Sequence, residues 1–230
     1  MFNNLVSVHD FEKVATRFRQ GGMVRYVHRM FQAPERRVAS AWQHTESTAR
    51  RWTDIPAVRE RCNHLITGNR HGDPRQFFID TFLPDRSNLT ALSLACGTGS
   101  NELAWARKGV FSRIVGVDIS PDRIAVATDA ARTEGLSDVL RFEVRDVQAK
   151  LPDGPFDLVI AEGALHHLSN LSRLLPEITG ILRPEGYLVL NDFVGPSRFQ
   201  WTDRQLEIID GLLLVLPDSY RHRRVTGDIK

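Results

Sequence analysis

A short glycine-containing segment is the first feature of the sequence that could do chemistry. Gly97 and Gly99 lie in ACGTGS, residues 95–100, directly after an apolar run. Glycines permit a tight turn and let a ligand approach the backbone. Asp118 ends a second apolar run 19 residues after Gly99, and a carboxylate there can accept two hydrogen bonds from a ribose diol. The pattern predicts a nucleoside site, and the alternative for Asp118 is a cap of the next helix.

The residue that follows the glycines separates two classes of nucleoside ligand. A dinucleotide site places a third glycine where the pyrophosphate meets the helix N-terminus. Counting from Gly97, that place is occupied by Glu102, and a carboxylate beside a pyrophosphate is electrostatically unfavourable. The sequence therefore favours a nucleoside with a cationic or zwitterionic arm, and it disfavours a nicotinamide-dependent oxidoreductase, which is kept as an alternative.

Groups able to accept a proton follow the later apolar runs. Glu162 directly follows the apolar run at residues 156–161, and His166 and His167 come a few residues later. Histidine titrates near neutrality and is the commonest general base. These three residues are the catalytic candidates, and Asp192 after the last apolar run is a further one. The alternative for the two histidines is local packing.

Strand and helix patterns alternate after residue 88 and would position these groups. Short apolar strands are predicted at 89–95, 113–118, 139–144, 156–161 and 186–193. A helix begins at Ser120 and Pro121, which suit an N-cap and first helical position, and another covers 171–182 with a kink or restart at Pro176. Alternation of apolar strands with helices predicts an α/β fold with a doubly wound parallel sheet.

The preceding 88 residues differ from this pattern. They contain helical patterns at 9–31, 35–52, 56–66 and 74–83. They carry 14 Lys and Arg against 9 Asp and Glu, whereas residues 89–230 carry 16 against 19. We therefore expect two regions, a helical cap at 1–88 and a sheet domain at 89–230. Aromatic and histidine side chains of the cap could line an acceptor pocket, although core packing is the alternative: Tyr26, Trp42, Trp52 and His64.

Five motifs in order resemble the class I S-adenosylmethionine-dependent methyltransferases. They are LSLACGTGSNE, VGVDIS, EVRDV, FDLVIAEGALHHL and LRPEGYLVLNDF, and they cover about residues 89–195. The resemblance implies a Rossmann-like sheet of strand order 3-2-1-4-5. It also implies S-adenosylmethionine as cofactor and S-adenosylhomocysteine as product.

The resemblance assigns roles to individual residues. Gly97 and Gly99 would line the methionine arm, Asp118 would hold the ribose hydroxyls, and Asp146 with Val147 would meet the adenine edge. The full set of cofactor-binding residues it implies is Ala95, Cys96, Gly97, Gly99, Asp118, Ile119, Asp146, Val147 and Glu162.

The motifs depart from the family at two positions. Ser93 stands where the family often has an acidic residue, and Ala95 stands where it has glycine. Glu102 would replace the missing carboxylate only if it turns inward, and we expect it instead on the first turn of its helix. These departures motivate a second hypothesis, a nucleoside-binding module of the same fold without catalytic activity.

The last residues also depart from the family, whose sheet usually closes with two further strands. Here a loop, an apolar helix at about 202–216 and a basic tail follow Phe193. A helix that is apolar nearly all round is expected to be buried. We therefore expect that the C-terminal strand pair is missing and that the natural protein continues past Lys230. A homodimer through the cap or through the 203–216 helix is left open.

Composition restricts the partners. Lys and Arg number 30 against 28 Asp and Glu, so no overall field points to nucleic acid or membrane. The longest apolar run, residues 212–216, is far shorter than the roughly 20 residues of a membrane span. Two cysteines make no disulfide framework, and no histidine spacing suggests a metal site. The expected function is methyl transfer to a small-molecule acceptor in the cytoplasm.

Overall fold

The computed structural model describes residues 54–192 and 201–221. By internal packing the chain divides into two compact units, Met1–Asp192 and Phe193–Lys230, and each is described by itself. The helices predicted at 9–31 and 35–52 lie outside the described residues, as do the pocket candidates Tyr26, Trp42 and Trp52.

Five parallel strands form one sheet in the first unit. Their bounds are β1 Leu89–Leu94, β2 Phe111–Asp118, β3 Leu140–Val144, β4 Phe156–Glu162 and β5 Leu182–Asn191. The strand order is β3-β2-β1-β4-β5, and every neighbouring pair is parallel. The predicted fold class and strand order are confirmed. The starts predicted for β2 and β5 are late, because Phe111 already pairs with Leu89 and Leu182 already pairs with Phe156.

Helices connect the strands. They are α1 Pro56–Thr67, α2 Pro74–Phe82, α3 Ser100–Ala106, α4 Pro121–Thr133 and α5 Leu171–Ile181. Three of them begin with proline, whose missing N–H is not needed in a first turn. The Ser120 side chain caps α4 by accepting from the Arg123 N–H, so the predicted cap is confirmed.

The helix does not restart at Pro176, because α5 continues through that residue, whereas the kink expected there stays a prediction. Proline removes one backbone hydrogen bond from a helix interior. Leu174 and Ile178 flank it, and both are buried against the sheet. Full burial of such a side chain contributes about 1.5–3 kcal/mol, so packing on both sides of the proline holds the helix together.

Both faces of the sheet are covered by apolar side chains. One core cluster joins Ala91, Ile114 and Leu158 to Trp105 of α3, and the other joins Leu92 and neighbouring strand residues to α5. Ile79 and Leu83, in and just after α2, belong to the first cluster. The packing of α2 therefore crosses the domain boundary expected at residues 88/89.

The connection from β1 to α3 contains three residues in the left-handed region of backbone conformation. Ala95, Gly97 and Gly99 have φ angles of 50°, 58° and 80°. At Gly99 an added Cβ would lie 2.8 Å from both Ala127 Cβ and a ring carbon of Phe142. Glycine at 99 is thus required by conformation and by space, whereas Ala95 accepts a conformation that is unfavourable for a residue with a Cβ.

The second unit contains α6, Asp203–Val215, and a short 3-10 turn at Asp218–Tyr220. A capping box between Thr202 and Gln205 starts α6 and satisfies two backbone N–H groups. None of its residues is buried, and Leu214 is 82% exposed. The expectation that this helix is buried is therefore wrong for this structure, since an apolar pattern does not specify a covering surface.

Among the described residues, no helix has the length and apolar character of a membrane span. Helix α6, with 13 residues, is about 20 Å long, against roughly 30 Å of hydrocarbon.

We expect Ala95→Gly and Gly99→Ala to change stability in opposite directions. Glycine at position 95 removes the left-handed strain of the folded state but increases the entropy of the unfolded chain. The first effect is the larger, so Ala95→Gly should raise the free energy of unfolding by about 0.5–1 kcal/mol. Gly99→Ala should lower it by about 3 kcal/mol or more, because strain and overlap add. Urea unfolding measures both values.

Gly109→Ala is the matched control for the substitution at Gly99. Gly109 has a φ angle of 73°, and an added Cβ would meet nothing within 4 Å. Its substitution should therefore lower stability by the conformational strain alone, about 1–2 kcal/mol. Equal losses for Gly99→Ala and Gly109→Ala would contradict the packing described around Gly99.

Candidate functional site

The polar groups singled out in the sequence converge at the carboxyl ends of the strands. The chain leaves β1 toward β2 on one side and reaches β4 on the other, so the crevice beside β1 is the topological switch point where such sheets bind ligands. Asp118 and Glu162 are the last residues of β2 and β4. The glycine loop, residues 95–99, lies between them because it follows β1.

Asp118 connects the glycine loop to the end of β2. Its side chain is nearly buried, and one oxygen accepts from the Gly97 N–H at 3.0 Å while the other accepts from the Ser120 N–H at 2.8 Å. A carboxylate oxygen has two lone pairs, so each retains capacity for a ligand hydroxyl. The cap of α4 is Ser120, which decides against the capping alternative for Asp118.

Asp146 and Val147, both expected at the adenine edge, present different groups to a ligand. Arg145 donates its N–H to the backbone oxygen of Asp118 at 2.9 Å, which sets the next residue, Asp146, beside β2. The half-buried Asp146 carboxylate accepts from the Gln148 N–H at 2.8 Å. Val147 is buried in the apolar core, so its side chain does not face a ligand. Ile119 is half-buried next to Asp118.

Glu102 lies on the first turn of α3 and turns inward. Its Oε1 accepts from the Ser93 hydroxyl at 2.5 Å, and both residues are 2% exposed. Burial raises the pKa of Glu102 to about 7. Burial also raises the pKa of the neighbouring Cys96 thiol, so this cysteine stays neutral and is not a nucleophile. The other Glu102 oxygen, Oε2, is buried without a hydrogen-bond partner.

Glu162 is held by two side chains that the sequence analysis did not find. Its Oε2 accepts from Arg75 Nη2 at 2.5 Å, and its Oε1 accepts from Trp105 Nε1 at 3.0 Å. Arg75 Nη2 also donates to Asn101 Oδ1 at 2.9 Å, and its guanidinium lies 5.7 Å from the Trp105 ring centre. Glu162 could act as a base only by giving up its hydrogen bonds to Arg75 and Trp105. The geometry therefore favours a role in which Glu162 positions neighbouring side chains. Arg75 is 87 residues from Glu162, and no local pattern signals that pairing.

His166 forms a pair with Asp192. The Nδ1–Oδ1 distance is 2.5 Å, and the other Asp192 oxygen accepts from the N–H groups of Ala164 and Leu165 at 3.1 and 2.6 Å. When Nδ1 carries the proton, Nε2 of the neutral imidazole is the free acceptor. The His166 side chain is 37% exposed, so this nitrogen can meet a substrate.

The His167 ring lies against the His166 ring, with ring centres 3.7 Å apart and ring planes tilted by 49°. Burial and the adjacent His166 lower the pKa of His167, which keeps it neutral. His64 lies exposed on α1. Across residues 54–192 and 201–221, no three His, Cys, Asp or Glu side chains are grouped as a metal would require.

Part of the chain is similar to known proteins. Residues 92–190 match the family described as methyltransferase domain. The chain is 28% identical over 183 residues to 27-O-demethylrifamycin SV methyltransferase of Amycolatopsis mediterranei, covering 76% of this chain and 64% of that one. It is 32% identical over 148 residues to demethylmenaquinone methyltransferase of Thermus thermophilus, covering 64% and 66%. The chain thus spans about two thirds of the length of these relatives.

Among solved structures, the YcgJ protein from Bacillus subtilis is similar with a TM-score of 0.47 and 24% identity. That similarity covers 61% of this chain and 56% of the other.

We expect Glu102 to make the ligand-free protein less stable as pH rises. Its pKa is about 7 in the folded chain against 4.5 for an unperturbed glutamate, so the folded state binds the proton more tightly. The stabilisation is complete below pH 4.5 and is lost as pH rises through 7, a change on the order of 2–3 kcal/mol. Glu102→Gln, which resembles the protonated acid, should remove this dependence.

Urea unfolding at pH 5 and pH 8 measures the difference. The stability of Glu102→Gln relative to the unmodified chain should rise by on the order of 2–3 kcal/mol between the two pH values. Glu185→Gln, at an exposed position, is the control and should show no such rise. A pH-independent difference for Glu102→Gln would contradict the buried, protonated state.

Proposed function

Because the chain belongs to the class I S-adenosylmethionine-dependent methyltransferase family, we propose that it methylates a small-molecule acceptor. The cofactor of this family, S-adenosylmethionine, supplies a methyl group on a positively charged sulfur that leaves readily. The observation that carries the proposal is Asp118, nearly buried at the switch point and bonded to Gly97 of the glycine loop.

The residues around the switch point suit a nucleoside ligand. Asp118 retains two lone pairs for a ribose diol. We assign the loop that carries Gly97 and Gly99 to the methionine arm. In our proposal Asp146 accepts from the adenine amino group, and the backbone of Val147 lies beside that edge. The inward carboxylate of Glu102 occupies the place where a dinucleotide site has glycine, which weighs against a nicotinamide cofactor.

The task of the chain in methyl transfer is mainly alignment of the acceptor with the methyl group and sulfur. An acceptor whose nucleophilic atom carries a proton also needs a base. His166 fills that role in our proposal, because Asp192 holds its Nδ1 and leaves Nε2 to take the proton. Glu162, engaged by Arg75, would position the neighbouring groups.

The names of the relatives support a small-molecule acceptor. An O-demethylrifamycin methyltransferase and a demethylmenaquinone methyltransferase are both named for organic small molecules. The competing proposal, a binding module without activity, is motivated by Ser93 and Ala95. The pair of His166 and Asp192 favours the enzyme, since ligand binding alone would not require an oriented base.

Asp118→Asn should abolish most of the cofactor affinity. Asparagine loses the charge and replaces one acceptor oxygen with a donor, so two charge-assisted hydrogen bonds to the ribose are weakened. At about 1.5–3 kcal/mol for each bond, the dissociation constant for S-adenosylhomocysteine should rise at least 100-fold in calorimetry. Asp122→Asn, at an exposed position on α4, should leave it unchanged.

The same titration tests the alternative cofactor. Binding of NAD without binding of S-adenosylhomocysteine would contradict the proposal. Unchanged affinity in Asp118→Asn would contradict the assignment of this residue.

His166→Ala should lower kcat by about 10²–10⁴-fold, because a positioned base contributes that factor. The assay follows transfer of a labelled methyl group to a panel of hydroxyl-bearing small molecules. Binding of S-adenosylhomocysteine should be unchanged, since His166 serves the acceptor. His167→Ala is the matched control and should lower kcat less than tenfold. Equal effects of the two substitutions would rule out a specific role for His166.

A further inference from the structure

Two buried polar atoms close to the glycine loop have no hydrogen-bond partner. They are Oε2 of Glu102 and Nε of Arg75. Leaving a buried polar group unpaired destabilises a protein, and more so when the group is charged. Most buried polar atoms of proteins are paired, so the unpaired atoms of these two oppositely charged residue types call for an explanation.

Glu102 is fixed so that one oxygen remains for another group. Ser93, next to the last residue of β1, donates to Oε1, and both side chains are 2% exposed. The pair joins β1 to α3, the two elements that the loop starting at Ala95 connects. A cationic donor would satisfy Oε2 and would also compensate the burial of the carboxylate. An ammonium group, which carries three donors, has that chemistry.

Arg75 is fixed in a complementary way. Its Nη2 is held by Glu162 and by Asn101, the residue before Glu102, and its guanidinium lies over the Trp105 ring. These contacts orient the planar group and leave Nε for an acceptor. Guanidinium groups bind carboxylates through such N–H donors. Arg75 also lies outside residues 92–190, the part of the chain that matches the family.

We propose that Glu102 and Arg75 bind the two charged groups of the cofactor's amino-acid end. Glu102 receives the ammonium and Arg75 the carboxylate, and Ser93 orients Glu102. The carboxylate that the family often carries at the position of Ser93 is thus supplied from α3. This inference rests on the proposed function, since it requires a ligand with an amino-acid end.

The test compares two ligands that differ only in that end. S-adenosylhomocysteine carries it, and 5′-methylthioadenosine has the same nucleoside and thioether without it. Calorimetry on the full chain should show S-adenosylhomocysteine binding at least tenfold tighter. In Glu102→Gln this preference should fall at least tenfold, while the affinity for 5′-methylthioadenosine changes less than threefold.

Arg75→Lys tests the second half of the clamp. Lysine keeps the positive charge beside Glu162, which protects the fold, but it lacks the Nε–H and the planar fork. The preference for S-adenosylhomocysteine should again fall at least tenfold. Glu60→Gln on α1 is the control for Glu102→Gln, and it should leave both affinities unchanged.

Proton release provides an independent readout. At pH 6 free Glu102 is protonated, given its pKa of about 7, whereas an ammonium partner favours the ionised form. Binding of S-adenosylhomocysteine should therefore release close to one proton, measured by calorimetry in buffers of different ionisation enthalpy. Glu102→Gln should release none, and neither should 5′-methylthioadenosine with the unmodified chain.

The outcomes separate the two proposals. An undiminished preference in Glu102→Gln and Arg75→Lys, or equal proton release in Glu102→Gln, overturns the clamp while leaving the proposed function intact. A chain that binds neither ligand overturns the proposed function and the clamp with it.

Discussion

The position of β1 between two parallel neighbours is the constraint on which the site depends. Ser93 pairs with Gly116 of β2 and with Ile160 of β4, and the Cys96 N–H continues the pairing by donating to Val117. A slip of one residue would turn alternate side chains to the opposite face. This register therefore sets the glycine loop between Asp118 and Glu162, and the burial of both sheet faces maintains it.

Four carboxylates meet at this edge of the sheet, and the chain stabilises each differently. Asp118 accepts from backbone N–H groups, Glu102 is buried with a raised pKa, Glu162 faces a guanidinium, and Asp192 holds His166. The carboxyl groups of Asp118 and Glu102 beside the glycine loop disfavour a polyphosphate at this position. The electrostatics of the site and the methyltransferase family thus point to the same kind of cofactor.

Most of the sheet and part of the candidate site could be predicted from the sequence. Apolar runs alternating with helices predicted a doubly wound parallel sheet, and the family resemblance supplied the strand order. Asp118 became a candidate because it ends β2 at a fixed distance from Gly99. Pairings across the fold could not be predicted, since the contacts of Arg75 with Glu162 and of His166 with Asp192 leave no local pattern. The burial expected for α6 failed for a related reason, because periodicity describes one helix and not the surface that covers it.

In our proposal Asp118 and the glycine loop bind S-adenosylmethionine at the switch point. A crystal structure of the chain with S-adenosylhomocysteine would reveal this contact. We expect ribose hydroxyls at hydrogen-bond distance from the Asp118 carboxylate, about 2.5–3.0 Å, with the amino-acid end beside Gly97. A ligand bound elsewhere, or one whose ribose does not contact Asp118, would contradict it.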